Sequence, residues 1–341
     1  MENTDQAIKS ALKYIDCKCK GYKRVKVGKS YRYKNLRGAV ITNERTLKRI
    51  QALIIPPAWK RVWICPDPKG HIQCFGYDIR DRKQYIYHKE WAQNQNDSKF
   101  QKVLELGPYL PSLQRRINKD LKLAEWTKEK VSALALAVIK RTLMRVGNAR
   151  YTKANKSYGL TTLKKSHITL SKEGVTIDYV GKKGVPQLHV VTDKKLYSFV
   201  ESLSEIPGKN LFQYLDPSAP KGIRKLRGRD VNAYLKGKDR DNKLSVKSFR
   251  IWGATIMAVR EMAAVQAEYD LNNSQKMLNA IIDQVAAELG NTRTVAKKYY
   301  VHPLIQELFL DGTFYKKAKL KVTARRLTIP QAETIAQRLL R

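Results

Sequence analysis

Acidic residues are few in this chain: 30 Asp and Glu stand against 67 Lys and Arg over 341 residues, a formal net charge of +37. Two-metal phosphoryl-transfer sites need clustered carboxylates, and no DxD or similar pair stands out, so neither a metal nor a metal-centred site is expected. Cysteine is scarcer still. Cys17, Cys19, Cys65 and Cys74 include no CxxC pair, and Cys17-Lys18-Cys19 is too tight for the usual zinc-knuckle spacing. They read as reduced, structural thiols in an intracellular protein. Long apolar runs are missing too: Val131 to Ile139, interrupted by Ser132, is about half of the ~18 residues that a membrane span requires. The first residues, Met1-Glu2-Asn3-Thr4-Asp5, carry neither a basic leader nor an apolar segment, so no secretory signal and no membrane association are expected. A P-loop needs GxxxxGK followed by Ser or Thr. Here Gly28-Lys29-Ser30 has Lys23 in the place of the first glycine, which leaves nucleotide hydrolysis unsupported.

Apolar residues, by contrast, make up 43% of the chain, far more than a disordered basic tail would carry. At roughly 100–200 residues per domain, two domains with cores of their own are expected. The surplus cations run through the whole sequence with no single terminal block. The anion-binding surface should therefore belong to the folded domains, and nucleic acid, through counterion release, is the expected partner.

Residues 1–91 read as β-rich. Arg61 to Cys65, the turn Pro66 to Gly70, and His71 to Tyr77 give two strands, and a second turn at Asp78 to Lys83 leads into Gln84 to His88. Alternation puts Tyr85 and Tyr87 on one face of that strand. Residues 92–98 are polar and poor in helix or strand formers and read as the linker, with a mainly helical domain over 99–341. Thr127 is placed as an N-cap, with Val131, Leu134, Ala135, Val138 and Thr142 at helical spacing up to Arg145. Between His167 and Val191 three alternating segments predict a small antiparallel sheet. Leu278, Ile281, Ile282, Val285, Ala286 and Leu289 then form a helical stripe that Gly290 is placed to cap, and Asn291 to Thr294 offers a turn with a fresh N-cap.

With nucleotide and metal chemistry unsupported, phosphoryl transfer would need a cationic site in which Arg and Lys stabilise a phosphorane and a side chain is the nucleophile. A tyrosine suits that task, because its phenolate leaves readily in the reverse step and the ester keeps the bond energy for resealing. Four segments carry a specific likeness: Arg145-Val146-Gly147-Asn148 with Tyr158-Gly159-Leu160-Thr161-Thr162-Leu163; Val180-Gly181-Lys182; Lys247-Ser248-Phe249-Arg250; and Leu289-Gly290-Asn291-Thr292 followed by Lys298-Tyr299-Tyr300-Val301-His302-Pro303. In this order they resemble the type IB DNA topoisomerases of poxviruses and bacteria and, through them, the tyrosine recombinases. Ile55-Pro56-Pro57-Ala58-Trp59 and Arg82 to His88 are similar to the bacterial branch, so the likeness runs from about residue 20 to 305.

The resemblance implies an α+β protein: a small β-rich amino-terminal DNA-binding domain and a larger, mainly α catalytic domain of the DNA breaking-rejoining fold with a three-stranded antiparallel sheet, closing as a C-shaped clamp. It implies Tyr300 as nucleophile, nine residues past Asn291, in preference to Tyr299. Arg145 and Arg250 would grip the nonbridging oxygens, and Lys182, in a turn between strands, would be the general acid. Lys247 precedes Arg250 by three residues and shares its helix face; recombinases usually carry His there. Poxviral members have His in the place of Asn291, whose amide can donate a hydrogen bond but cannot shuttle a proton. Gln84, Tyr85, Tyr87 and Tyr151 match DNA-contact positions. The implied enzyme is a monomer acting on double-stranded DNA without ATP, metal or other cofactor. A site-specific recombinase and a non-enzymatic nucleic-acid-binding protein are the alternatives.

Overall fold

The computed structural model describes residues 11–237, 243–320 and 326–341, which separate into two compact units, Met1–Lys99 and Phe100–Arg341. The architecture is α+β, as expected. In the first unit, β1 (Tyr22–Val27), β2 (Ser30–Lys34), β3 (Lys60–Ile64), β4 (Ile72–Tyr77) and β5 (Lys83–Tyr87) form one antiparallel five-stranded sheet in the order β2-β1-β3-β4-β5. Alternation along β3 sends Val62 and Ile64 to one face, where they meet Ile50 of α1 (Glu44–Ala52), and Trp63 to the other, where it stacks on Phe75 at 5.0 Å. Asn43 caps α1, its Oδ1 accepting from Thr46 N at 2.9 Å. Cys65 and Cys74 are buried free thiols.

One expectation needs correction. Residues 92–98 are not an irregular linker but lie inside α2 (Lys89–Leu104), and the two compact units part between Lys99 and Phe100 within that helix. This helix lacks an apolar stripe over its middle, which is why its pattern is illegible. Its polar residues pair along the helix instead, Gln93 with Asp97 at 2.9 Å and Lys99 with Asn96 at 2.6 Å, while Trp91, Phe100 and Val103 are buried near its ends.

The second unit is mainly helical: α3 (Leu106–Asp120), α4 (Lys128–Thr142), α5 (Ala149–Asn155), α6 (Lys194–Glu205), α7 (Gly228–Lys236), α8 (Val246–Ala264), α9 (Ser274–Leu289), α10 (Arg293–Tyr299), α11 (Pro303–Leu310), α12 (Phe314–Ala318) and α13 (Ile329–Leu339). It also holds the expected three-stranded antiparallel sheet of β6 (Ile168–Ser171), β7 (Gly174–Val180) and β8 (Pro186–Val191), and a two-stranded ribbon of β9 (Gln213–Leu215) and β10 (Ile223–Lys225). The centre is α4, whose Val131, Leu134, Leu136 and Ile139 are all fully buried. Thr127 caps it as expected, accepting from Lys130 N at 3.3 Å. The helix stops at Thr142, earlier than the periodicity suggests, because Leu143 turns left-handed at φ 51°. That turn frees Arg145 from the helix. No helix among the described residues is long and apolar enough to cross a membrane.

Candidate active site

Arg145 and Asn291 are brought together from opposite ends of the unit. Beyond Leu143, the Arg145 and Val146 carbonyls accept from Leu160 N at 2.9 Å and Thr161 N at 2.8 Å, so residues 145–147 run as a short arm against 159–161. The arm is close to its neighbour: a Cβ on Gly159 would lie 2.6 Å from the Arg145 carbonyl oxygen. At the other end, Gly290 takes the left-handed conformation, φ 57°, and closes α9 with Asn291 N donating to Ala286 O at 2.9 Å. This cap aims the Asn291 side chain back, where Arg145 Nη2 donates to its Oδ1 at 2.8 Å. Since a guanidinium only donates, the contact fixes the amide orientation and directs Nδ2 the other way. That Nδ2 is buried and has no hydrogen-bond partner among the described residues.

Arg250 lies on α8, is only 4% exposed, and donates Nη1 to the Leu143 carbonyl and Nη2 to Leu289 O at 2.8 Å. These are the carboxy-terminal ends of α4 and α9, where the helix dipoles favour a cation. Its guanidinium carbon sits 5.4 Å from the centroid of the Tyr300 ring. Burial pulls the Arg250 pKa below its ordinary value, and Arg145 adds to the effect.

Tyr300 follows α10 directly and is 9% exposed. Burial pushes its phenol up, yet Arg250 and Arg145, joined by Lys247, pull harder and hold it below the usual tyrosine range. The contrast with Tyr179 is informative. That phenol also feels Arg250 and Arg145, but burial dominates and pushes it up to about 12. Tyr299, by comparison, is 41% exposed, with Lys298 5.5 Å from its ring. Thus the structure brings Tyr300 to the guanidiniums.

Lys182 occupies the β7–β8 turn, closed by Gly181 N donating to Val185 O at 2.8 Å, with Lys183 and Gly184 both at positive φ. Partial burial and then Arg145, Lys183 and Lys247 lower its pKa, against a raising influence from Tyr300. Lys247 is exposed on the first turn of α8, three residues before Arg250 as expected. The six residues singled out from the sequence therefore belong to one electrostatic cluster within the second unit.

Gln84, Tyr85 and Tyr87 lie on β5, an edge strand of the first unit; the two tyrosines are stacked at 5.9 Å and exposed, and Gln84 Nε2 donates to Asp78 Oδ2 at 3.0 Å. Tyr151 is half-buried on α5, which Asn148 caps. Sequence reasoning missed Tyr179, which faces the same guanidiniums, and Gln187, buried where a Cβ on Gly181 or Gly290 would strike it. Neither has a spacing signal. His189, read only as a strand residue, stacks on Tyr179 at 6.1 Å, and burial, with Arg250, lowers its pKa to about 4. Among the described residues no group of three or more His, Cys, Asp or Glu is placed to hold a metal ion.

A strongly cationic chain in which an antiparallel-sheet unit precedes a helical unit with a phenol set among guanidiniums carries groups suited to phosphoryl transfer. Residues 88–323 match the profile described as eukaryotic DNA topoisomerase I, catalytic core, and residues 30–78 match that of the bacterial DNA topoisomerase IB N-terminal domain. The chain belongs to the type IB DNA topoisomerase family. It is 28% identical over 297 residues to the DNA topoisomerase 1B of Acanthamoeba polyphaga mimivirus, covering 86% of this chain and 88% of that relative. The DNA topoisomerase I of monkeypox virus and the DNA topoisomerase 1B of vaccinia virus (strain Copenhagen) are each 26% identical over 242 residues, 70% of this chain and 73% of theirs.

Proposed function

We propose that the protein relaxes supercoiled duplex DNA by breaking and resealing one strand through a 3′-phosphotyrosyl intermediate. Tyr300 Oη attacks the phosphorus, the phenolic proton leaves to water, and a phosphotyrosyl bond forms as the bond to the 5′ oxygen breaks. Lys182 gives that oxygen its proton. Arg145 and Arg250 stabilise the nonbridging oxygens of the phosphorane, and the free Nδ2 of Asn291 donates a further hydrogen bond to them. Lys247 adds charge and lowers the phenol pKa. The broken strand rotates under torsional stress, and the 5′ hydroxyl then attacks the phosphotyrosine in the reverse of the first step. The ester conserves the phosphodiester energy, so ATP has no role, and side-chain cations supply the stabilisation of the phosphorane. Tyr85 and Tyr87, with Gln84, present an exposed strand edge to the duplex, and Tyr151 adds a contact from the catalytic unit.

The observation that carries this reading is the convergence of Arg145 and Arg250 on a phenol whose pKa is pulled down in spite of its burial, with Asn291 held by Arg145. The test is incubation with supercoiled plasmid in EDTA without ATP, followed by denaturant quenching and peptide mapping of the DNA adduct. Relaxation with an adduct on Tyr300 is expected, and Tyr300→Phe should abolish both while DNA binding persists. No relaxation and no adduct would overturn the reading, and an adduct on Tyr299 would overturn the assignment of the nucleophile.

A further inference from the structure

α10 ends at Tyr299 and α11 starts at Pro303, so Tyr300, Val301 and His302 form a break: the Tyr300 and Val301 amides still donate to Ala296 O at 3.0 and 3.1 Å, while the Lys297, Tyr300 and Val301 carbonyls and the His302 amide lose their helical partners. Tyr300 and Val301 are buried there, where water cannot readily replace those partners. Two buried polar side chains take up the orphaned groups. Thr255 of α8 accepts at Oγ1 from His302 N at 3.1 Å, and its single hydroxyl proton is shared between the Ile251 carbonyl at 3.0 Å and the Tyr300 carbonyl at 3.3 Å. Gln306 of α11 donates Nε2 to Lys297 O and Val301 O, both at 2.9 Å. Thr255 stands five residues after Arg250 on the same helix, so its hydroxyl ties the Tyr300 backbone to the element that carries the neighbouring guanidinium.

We infer that Thr255 and Gln306 are positioning residues for strand cleavage: they clasp the backbone on both sides of the Tyr300 side chain and hold its phenol beside Arg250, without touching DNA. The inference rests on reading Tyr300 as the nucleophile. A phenol that must approach phosphorus in line with the leaving oxygen loses rate when its orientation is less restricted. Religation differs, because its starting state already has the tyrosine bonded to phosphorus and so held by the DNA. Loosening the clasp should therefore slow cleavage, leave religation close to its original rate, and lower the cleavage equilibrium constant by the same factor as cleavage.

The test uses the full chain and a duplex bearing a cleavage site mapped with the original protein. Thr255→Val removes the hydroxyl at nearly constant volume, Thr255→Ser restores it, and Gln306→Met removes the amide donors. Adduct formation is followed in single turnover, religation is followed by adding a 5′-hydroxyl strand to isolated adduct, and DNA affinity is measured separately. The duplex is chosen so that the released 5′-hydroxyl strand dissociates and cleavage is irreversible; the end-point amplitude then counts folded molecules, and partial misfolding lowers that amplitude and not the rate constant. Thr255→Val and Gln306→Met should each cleave about tenfold more slowly, about 1.4 kcal/mol of barrier, with religation within about twofold. Thr255→Ser should cleave within about twofold of the original. Should Thr255→Val not fold, Gln306→Met and Thr255→Ser carry the same comparison. Unchanged cleavage in the variants lacking the groups, or cleavage and religation slowed alike, would overturn the inference. An adduct formed by Tyr300→Phe would instead overturn the nucleophile assignment on which it rests.

Discussion

Gly159→Ala is the sharpest probe of whether Arg145 must stand where it does. The Gly159 backbone is extended, at φ −163°, a conformation that any residue adopts, so conformational strain is not the reason for glycine. Space is. A Cβ there would lie 2.6 Å from the Arg145 carbonyl oxygen and 2.7 Å from Gly147 N, short of ordinary contact at 3.4 Å by about 0.8 and 0.7 Å. Both neighbours are backbone atoms and cannot rotate away. The arm is also pinned, since Leu160 N and Thr161 N donate to the Arg145 and Val146 carbonyls at 2.9 and 2.8 Å. Relief must therefore shift the arm, and with it the guanidinium that meets Asn291 at 2.8 Å. Misplacement by about 1 Å costs on the order of 100-fold in rate, whereas overpacking of this kind costs roughly 1–3 kcal/mol of stability. Single-turnover adduct formation at saturating DNA should fall by about 30- to 100-fold, with a protein that still melts cooperatively and binds DNA. A folded Gly159→Ala protein that cleaves at the original rate would refute the argument that this contact sets the Arg145 position.

Other outcomes follow from the same geometry. Because cations hold the Tyr300 phenol below its ordinary range, the cleavage rate should climb with pH and level off below about pH 10, the usual tyrosine value; Lys247→Gln should move the rise to higher pH, and an unmoved profile would count against that charge. With sulfur in place of the leaving 5′ oxygen no proton is needed, so Lys182→Ala, expected to lose about 100- to 10,000-fold on the natural bond, should recover most of its rate, and failure to recover would remove Lys182 as general acid. His302 is kept neutral by burial, with a pKa lowered to about 4, and its Nδ1 caps α11 by accepting from Leu304 N at 3.2 Å. Between about pH 6.5 and this lower value the unfolded chain binds a proton that the folded one refuses, so stability is constant above that window and falls as pH drops through it. His302→Asn, which caps without titrating there, should lessen the fall of the melting temperature over this range, with His189 keeping its own share; an unchanged slope would sink the assignment. Finally, Arg250→Ala, which loses two charged hydrogen bonds to buried carbonyls, should cost about 3 kcal/mol or more in chemical denaturation at roughly 1.5–3 kcal/mol each, whereas half-buried Arg145→Ala, which loses one such bond, should cost roughly half as much while abolishing cleavage as fully. Equal stability losses would contradict the separate roles.

Much of this was readable from residues that act locally. Thr127, Gly290 and Thr292 cap their helices as the pattern suggests, because a cap is decided within a few residues of chain. The sheet from Ile168 to Val191 is likewise legible, its strands being joined by short turns. The middle of α2 was not, since its stability comes from side-chain pairs such as Gln93 with Asp97 and from buried anchors near its ends, and neither makes an apolar period. The site shows the same division. The motifs around Arg145, Lys182, Arg250, Asn291 and Tyr300 stand out as a family likeness, but Thr255, Gln306, Gln187 and Tyr179 acquire meaning only once distant segments meet. Arg145 and Asn291 are 146 residues apart, and the hydrogen bond between them has no counterpart in local spacing.

The arrangement also answers how a protein of such charge can crowd cations into one place before DNA arrives. Carboxylates would be the simplest counterweight, yet among the described residues none forms an ion pair with Arg145 or Arg250. Oxygens without formal charge serve instead: the Leu143 and Leu289 carbonyls for Arg250, and the Asn291 amide oxygen for Arg145. The difference is chemical. A carboxylate would cancel a full positive charge and raise the phenol pKa toward its ordinary value, removing what the phosphorane needs. Carbonyls at two helix ends supply only partial negative charge, enough to orient the guanidinium at a cost the buried fold can bear, while the net charge facing the phosphate remains whole. The same two carbonyls belong to the segments that lead into Arg145 and Asn291. One buried arginine therefore fixes the ends from which its partners project, which is why its loss should be felt in folding and in chemistry together, and theirs chiefly in chemistry.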